Sequence, residues 1–221
     1  MVDFNRIWQI APRKAASVLG PAFALYRPNG AGPAIASANA RGNVPAWITA
    51  DEQLRAVRPL ADNKSRAFAC IDPALAQVGD YIIGQQWNGG QVSTWFVQSM
   101  DLPAPISVVR CNHTLTFMRP GSPAPGANFY GGDVTATETP IITGWPASVL
   151  QGTKGQTGPV NLPGDDRLPW VNILLPVLPA GVQIRAGDFA VDDQPQPMRY
   201  EVSGAVATPQ GWAITAALTV A

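Results

Sequence analysis

Histidine occurs once in 221 residues and cysteine twice, which leaves little material for a metal centre or a hydrolytic acid–base pair. Cys111 and His113 are the one Cys–His neighbourhood in the chain. Two apart on a strand, they share a face, but two ligands fall short of the four that a structural zinc ion takes. Cys70 and Cys111 therefore read as free thiols packing like small hydrophobes. The opening Met1-Val2-Asp3-Phe4-Asn5-Arg6 lacks the basic and apolar regions of a secretory signal, and disulfides belong to oxidising compartments. No apolar run approaches the roughly 20 residues that span a bilayer. Charge is scarce too. Charged residues make up 14% of the chain, and fifteen basic residues cancel fifteen acidic ones, where about 25% charged is usual. Zero net charge gives no bulk steering toward nucleic acid or an anionic membrane. It also removes the repulsion that keeps copies of one chain apart.

The motifs that carry chemistry are missing as well. Gly152-Thr153-Lys154-Gly155-Gln156-Thr157-Gly158 has glycine spacing reminiscent of a phosphate loop, but such a loop needs Gly-Lys-Ser/Thr running into a helix. The next residues are Pro159-Val160-Asn161-Leu162-Pro163, where no helix starts. The acidic pairs Asp51-Glu52, Asp165-Asp166 and Asp192-Asp193 are adjacent residues, whereas glycosidases hold two carboxylates about 5–10 Å apart across a cleft. Turn chemistry explains them better, and Asp192-Asp193-Gln194-Pro195 reads as a hairpin tip. His113 has no Gly-x-Ser-x-Gly partner and reads as a strand residue. Trp47, Trp95, Trp170 and Trp212 fall at strand positions, where burial accounts for them better than base stacking does. The expectation is a protein that is not an enzyme and holds no cofactor or metal.

What the chain does contain is β structure. Its 22 prolines and 21 glycines approach a fifth of all residues, well above the usual roughly 12%, which favours short strands joined by structured loops. Hydrophobic residues, at 46%, suffice for a core. Two stretches match in order. Val78-Gly79-Asp80-Tyr81-Ile82-Ile83-Gly84 is followed by strands at Thr94–Ser99 and Ile106–Arg110. Ala186-Gly187-Asp188-Phe189-Ala190-Val191 is followed by Met198–Ser203 and Trp212–Leu218. Each is a Gly-Asp turn, a strand, a hairpin and further strands, the pattern of a small antiparallel barrel.

The predicted class is mainly β: two small antiparallel barrel or sandwich modules, a short N-terminal helix and long Pro/Gly-rich loops. Residues 1–44 are assigned to that helix and an extended arm, 45–120 to the first β-module, 121–133 to a linker and 134–221 to the second β-module. In the helix, Phe4, Ile7, Trp8 and Ala11 fall on one face, continued by Ala15, Ala16, Val18 and Leu19. Pro12 is expected to break or kink it, and Gly20-Pro21 to stop it. Residues 26–44 show no period and read as an arm. The stretch 151–168 reads as a long loop, functional or disordered, expected to order only against a neighbour or the central channel.

The C-terminal run Ile184-Arg185-Ala186-Gly187-Asp188-Phe189, Met198-Arg199-Tyr200-Glu201-Val202 and Gly211-Trp212-Ala213-Ile214 resembles the small barrel of tailed-bacteriophage head-closure (stopper) and connector proteins. The run Gln77–Gly84, with Thr94–Val97 and Ile106–Asn112, is similar to proteins encoded among phage virion genes, as is the opening Arg13-Lys14-Ala15-Ala16 and Tyr26-Arg27-Pro28. The resemblance implies a virion protein assembled in the host cytoplasm. It implies a homo-oligomeric ring at the portal–tail junction, bound to a portal or adaptor ring and to tail proteins. DNA would pass through without sequence-specific binding, and no membrane is involved. The long N-terminal module departs from single-barrel stoppers. A tail tube, nozzle or fibre-attachment component is the alternative within the virion, and a glycan- or cell-wall-acting module the alternative outside it. Expected inter-subunit contacts are Phe4, Ile7 and Trp8 on the helix, and Lys154, Asp165, Asp166 and Arg167 on the long loop.

Overall fold

The computed structural model describes residues 4–49, 65–85, 90–101, 106–121, 138–152 and 170–219, and within the helix the side chains from Ile10 onward. After helix α1 (Phe4–Leu19) come twelve strands. The first six are β1 (Ala22–Tyr26), β2 (Ala40–Thr49), β3 (Arg66–Ile71), β4 (Tyr81–Gly84), β5 (Ser93–Ser99) and β6 (Ile106–Cys111). The second six are β7 (His113–Arg119), β8 (Thr139–Gln151), β9 (Trp170–Leu175), β10 (Phe189–Asp192), β11 (Arg199–Thr208) and β12 (Gly211–Thr219). They close into two barrels, ordered β1-β2-β3-β6-β5-β4 and β7-β8-β9-β12-β11-β10. The two orders are identical when the second six are counted from β7, so the chain holds one topology twice. The mainly β, two-module fold read from sequence is the fold observed.

Alternation builds each wall. In β2, Val44, Ala46 and Ile48 are buried, while Pro45, Trp47 and Thr49 are half-buried on the outside. In β3, Ala67, Ala69 and Ile71 follow the same period. Six strands enclose a narrow interior that side chains must fill. The first barrel does this with Phe23, Leu25, Ile82, Val97 and Val108 set among those alanines. Tyr81, Phe96 and Val109 on β4, β5 and β6 point the other way, into a second core shared with Leu115, Phe117, Trp145, Ile173 and Val202 of the second barrel. The two barrels are thus one packed body.

The strand assignments move the predicted boundaries. Residues 22–26 and 40–44, assigned to the helix-and-arm segment 1–44, belong to barrel one as β1 and the first half of β2, because β1 pairs with both β2 and β4 to close the barrel. His113–Arg119, placed in the first module, opens barrel two by pairing with β8 and β10. The module boundary therefore falls at Asn112. Most of the predicted 121–133 linker lies outside the described residues.

α1 runs as one element with Pro12 inside it. A proline in that place removes one bond to the carbonyl four residues back, and the turns on either side continue the helix. α1 lies on β2 and β3. Ala16 is fully buried there, while Ala11, Val18 and Leu19 of the expected apolar stripe are exposed. Gly20 makes the approach possible, since a Cβ on it would stand 2.6 Å from the Ala46 backbone.

Candidate functional site: paired clamps and the seam

Each Gly-Asp turn carries a buried carboxylate held by an arginine from the end of the first strand of its barrel. Asp80 is 0% exposed, and Arg27 donates to it twice, Nε to Oδ1 and Nη2 to Oδ2, both at 2.8 Å. Asp188 receives Arg119 in the same fork, at 2.8 and 2.9 Å. The backbone repeats too. Oδ2 of each aspartate accepts the N–H three residues before it, from Gln77 at 2.9 Å and from Arg185 at 2.7 Å. Gly79 donates to Val97, as Gly187 does to Val202. Nη2 of each guanidinium also donates to a carbonyl five residues before its aspartate, Leu75 or Gln183.

Both glycines sit at positive φ, 93° and 86°, a region that costs an L side chain about 1–2 kcal/mol. The glycine turn aims the carboxylate inward, and the arginine closes the barrel over it. The hydrogen bond to Asp80 holds the Arg27 guanidinium above its ordinary range against the opposing effect of burial, and Asp188 does the same for Arg119. Sequence reasoning passes over Arg27 and Arg119. Their signal lies in the dipeptides Arg27-Pro28 and Arg119-Pro120, each at the end of a strand.

The seam brings β6 of barrel one against β8 of barrel two, with Tyr81 of β4 and Phe96 of β5 in the same core. The Tyr81 hydroxyl donates to the Pro146 carbonyl at 2.7 Å, and its ring meets Phe96 and Trp145 edge-on. Burial, reinforced by the nearby Cys111, pushes the Tyr81 phenol well up. Asn112 fixes the turn between the barrels by exchanging side-chain hydrogen bonds with Val149 N–H and C=O. The β1–β2 connection then reaches across: Thr143 N–H donates to Ala31, Ala34 N–H to Gly144, and Trp145 Nε1 to Gly32 at 2.9 Å. Residues 31–34, expected to lie in a loose arm, form a clasp on barrel two. The bulge at Thr143-Gly144, where β8 slips register against β7, frees the backbone groups that receive it.

His113 and Cys111 do not converge. His113 Nδ1 is 2.6 Å from Asp192 Oδ2, and Asp192 is fully buried at one mouth of barrel two. Its Oδ1 has no hydrogen-bond partner among the described residues. Burial first, and then the Asp192 charge, raise the Tyr200 phenol beside it. Cys70 and Cys111 are both free and half-buried, and burial pushes both thiols up. Among the described residues no three His, Cys, Asp or Glu side chains group as metal ligands. No described helix is long and apolar enough to cross a membrane.

At the opposite mouth of barrel two, Val177, Leu178, Pro179, Val182 and Trp212 line an open, uncharged groove of about 450 Å³. Of the predicted contact residues, Phe4, Ile7 and Trp8 lie in α1, with side chains outside the described set, and Lys154, Asp165, Asp166 and Arg167 fall outside the described residues. No protein-family model, curated protein or solved structure matches this chain.

Proposed function

We propose that this chain is a structural virion protein of a tailed bacteriophage, forming a homo-oligomeric ring at the portal–tail interface and lining or closing the DNA passage. Its partners in this reading are further copies of itself, a portal or adaptor ring, tail proteins, and DNA that slides past without specific contacts. The observation that carries the reading is the pair of closed barrels fused through one core, with the phage-like sequence run falling on β10, β11 and β12 of the second barrel. A rigid two-barrel block suits a ring subunit, because it transmits load between neighbours without bending at a linker. The neutral, charge-poor composition also suits a channel, since clustered Lys and Arg would hold phosphates that must move.

Mass spectrometry and electron microscopy of purified particles test it. The expected result is the protein present in mature particles, with antibody label at the head–tail junction. Its absence from particles overturns the reading. Label at the distal tail would favour a tube, nozzle or fibre-attachment role, and turnover of purified peptidoglycan would favour a glycan-acting one.

A further inference from the structure

An open strand edge and an uncharged groove lie side by side on barrel two. β11 pairs with β10 only from Arg199 to Glu201, and Val202 is then held by the Gly-Asp turn through Gly187 and Asp188. From Gly204 to Thr208 the strand pairs with β12 alone. Thr208 and Gly211 close that hairpin around Pro209-Gln210, so the hydrogen-bonded pairs alternate back along it through Val206 and Gly204. The N–H and C=O groups of Ala205 and Ala207 therefore point the other way, along an edge to which no described residue bonds. Exposed edges are usually blunted by charge or proline. Ser203-Gly204-Ala205-Val206-Ala207-Thr208 has neither. Ala205 and Ala207 also line the groove, opposite Val177, Leu178 and Val182 and beside Trp212.

The chain brings a segment of its own to this place. Arg119 ends β7 and donates from Nη2 to the Gln183 carbonyl at 2.8 Å, and Gln183 belongs to the groove wall. Arg119 also pairs with Thr139, where β8 begins. Residues 122–137 thus leave and re-enter the described fold beside the groove. At about 3.3 Å per residue, half of that length reaches roughly 25 Å, enough to run along β11 and return. Asp133 is the only charge in Ser122–Thr137, and Phe129, Tyr130 and Val134 are its large apolar side chains.

Barrel one shows the equivalent connection docked. It follows Arg27-Pro28 as residues 122–137 follow Arg119-Pro120. In both barrels the pairing of the first strand slips register at the residue before the clamp arginine. Ala31 and Ala34 of that connection exchange main-chain hydrogen bonds with Thr143 and Gly144, and Ala34 is wholly buried. An uncharged Pro/Gly/Ala connection there settles on backbone groups that a strand leaves free.

We infer that residues 122–137 dock on barrel two of their own chain as an added strand on the β11 edge. Their main chain bonds to Ala205 and Ala207, and a ring of Phe129-Tyr130 fills the groove against Trp212. Strand addition draws affinity from main-chain hydrogen bonds and selectivity from alternate side chains in pockets. The β7–β8 connection then covers an edge through which copies of the chain would otherwise pair. This goes beyond the ring reading and does not rest on it.

Amide exchange and NOE spectroscopy on the full chain decide it. In dilute, monomeric wild type the Ala205 and Ala207 amides are expected to exchange at least a hundredfold more slowly than in an unstructured chain. Cross-peaks are expected from their α-protons to residues 122–137. In the double variant Phe129→Ser, Tyr130→Ser the same two amides should quicken at least tenfold, while the Val206 amide, bonded to β12, keeps its protection and reports an intact hairpin. Unprotected Ala205 and Ala207 in wild type overturn the inference. So does protection that survives in the double variant, which would mean that another group covers the edge. Protection that appears only as concentration and mass rise would place a second copy on the edge and overturn it as well. The wild-type cross-peaks stand whether or not the double variant folds. Failure to find the protein in particles leaves these outcomes unchanged and bears on the virion reading alone.

Discussion

A carboxylate inside a barrel wall holds its charge only while its oxygens have donors. Asp80 and Asp188 each have a forked arginine and a backbone N–H. Removing the arginine leaves the carboxylate buried with the backbone donor alone. Arg27→Met and Arg119→Met are each expected to cost about 3–5 kcal/mol, read as lower urea midpoints with unchanged slopes. A loss under about 1 kcal/mol in either variant would mean that water replaces the arginine and the clamp is ornamental. A second prediction comes from Cys111 and Tyr81, both held above their ordinary values by burial. The fold favours their neutral forms. That contribution is full below the unfolded values, about 8.5 for a thiol and 10 for a phenol, and is lost as pH rises through the folded ones. Melting temperature should stay level to about pH 8 and then fall, and Cys111→Ala should postpone the first part of the fall. An alkaline melt of the variant superimposable on wild type would show that Cys111 contributes none of it.

Among the elements, the last three strands of each barrel were legible because each follows a Gly-Asp turn with local apolar alternation. Strand β1 was not. β1 is five residues bounded by prolines at 21 and 28, and what makes it a strand is pairing with β4 more than fifty residues later, which no local window contains. The clamps were invisible for the same reason, since their partners stand 53 and 69 residues apart. Helix α1 shows the converse. Its apolar period was legible, but the face that docks is the small one at Ala16 and Gly20. Gly20→Ala would set a methyl against the Ala46 carbonyl and lift the helix from β2. Overpacking of this kind costs about 1–3 kcal/mol. Amide exchange should then quicken in α1 while the β1–β2 ladder keeps its protection. Quickening of both together would mean that the helix is part of the barrel's cooperative unit.

For the whole molecule, the shared core decides how the barrels come apart. Tyr81, Phe96 and Val109 belong to barrel one by strand and to barrel two by packing, so neither barrel keeps its apolar surface covered alone. Calorimetry should give one transition whose van't Hoff and calorimetric enthalpies agree. Two resolved transitions would show that the seam is weaker than its burial implies. Tyr81→Ala opens a cavity in the seam at a cost of about 3–5 kcal/mol, and is the variant most suited to splitting one transition into two.

The clasp and the seam have a consequence for synthesis. A ribosome completes barrel one, down to Cys111, while about half of the 221-residue chain remains unmade. At about 5–20 residues per second, the half-barrel face bearing Tyr81, Phe96 and Val109 waits some seconds for the strands that will cover it, and residues 31–34 wait with it for β8. During that interval the nascent chain displays an aromatic patch that the finished protein never shows. Chaperone occupancy on translating ribosomes should therefore rise as barrel one emerges and fall once β8 and β9 have followed.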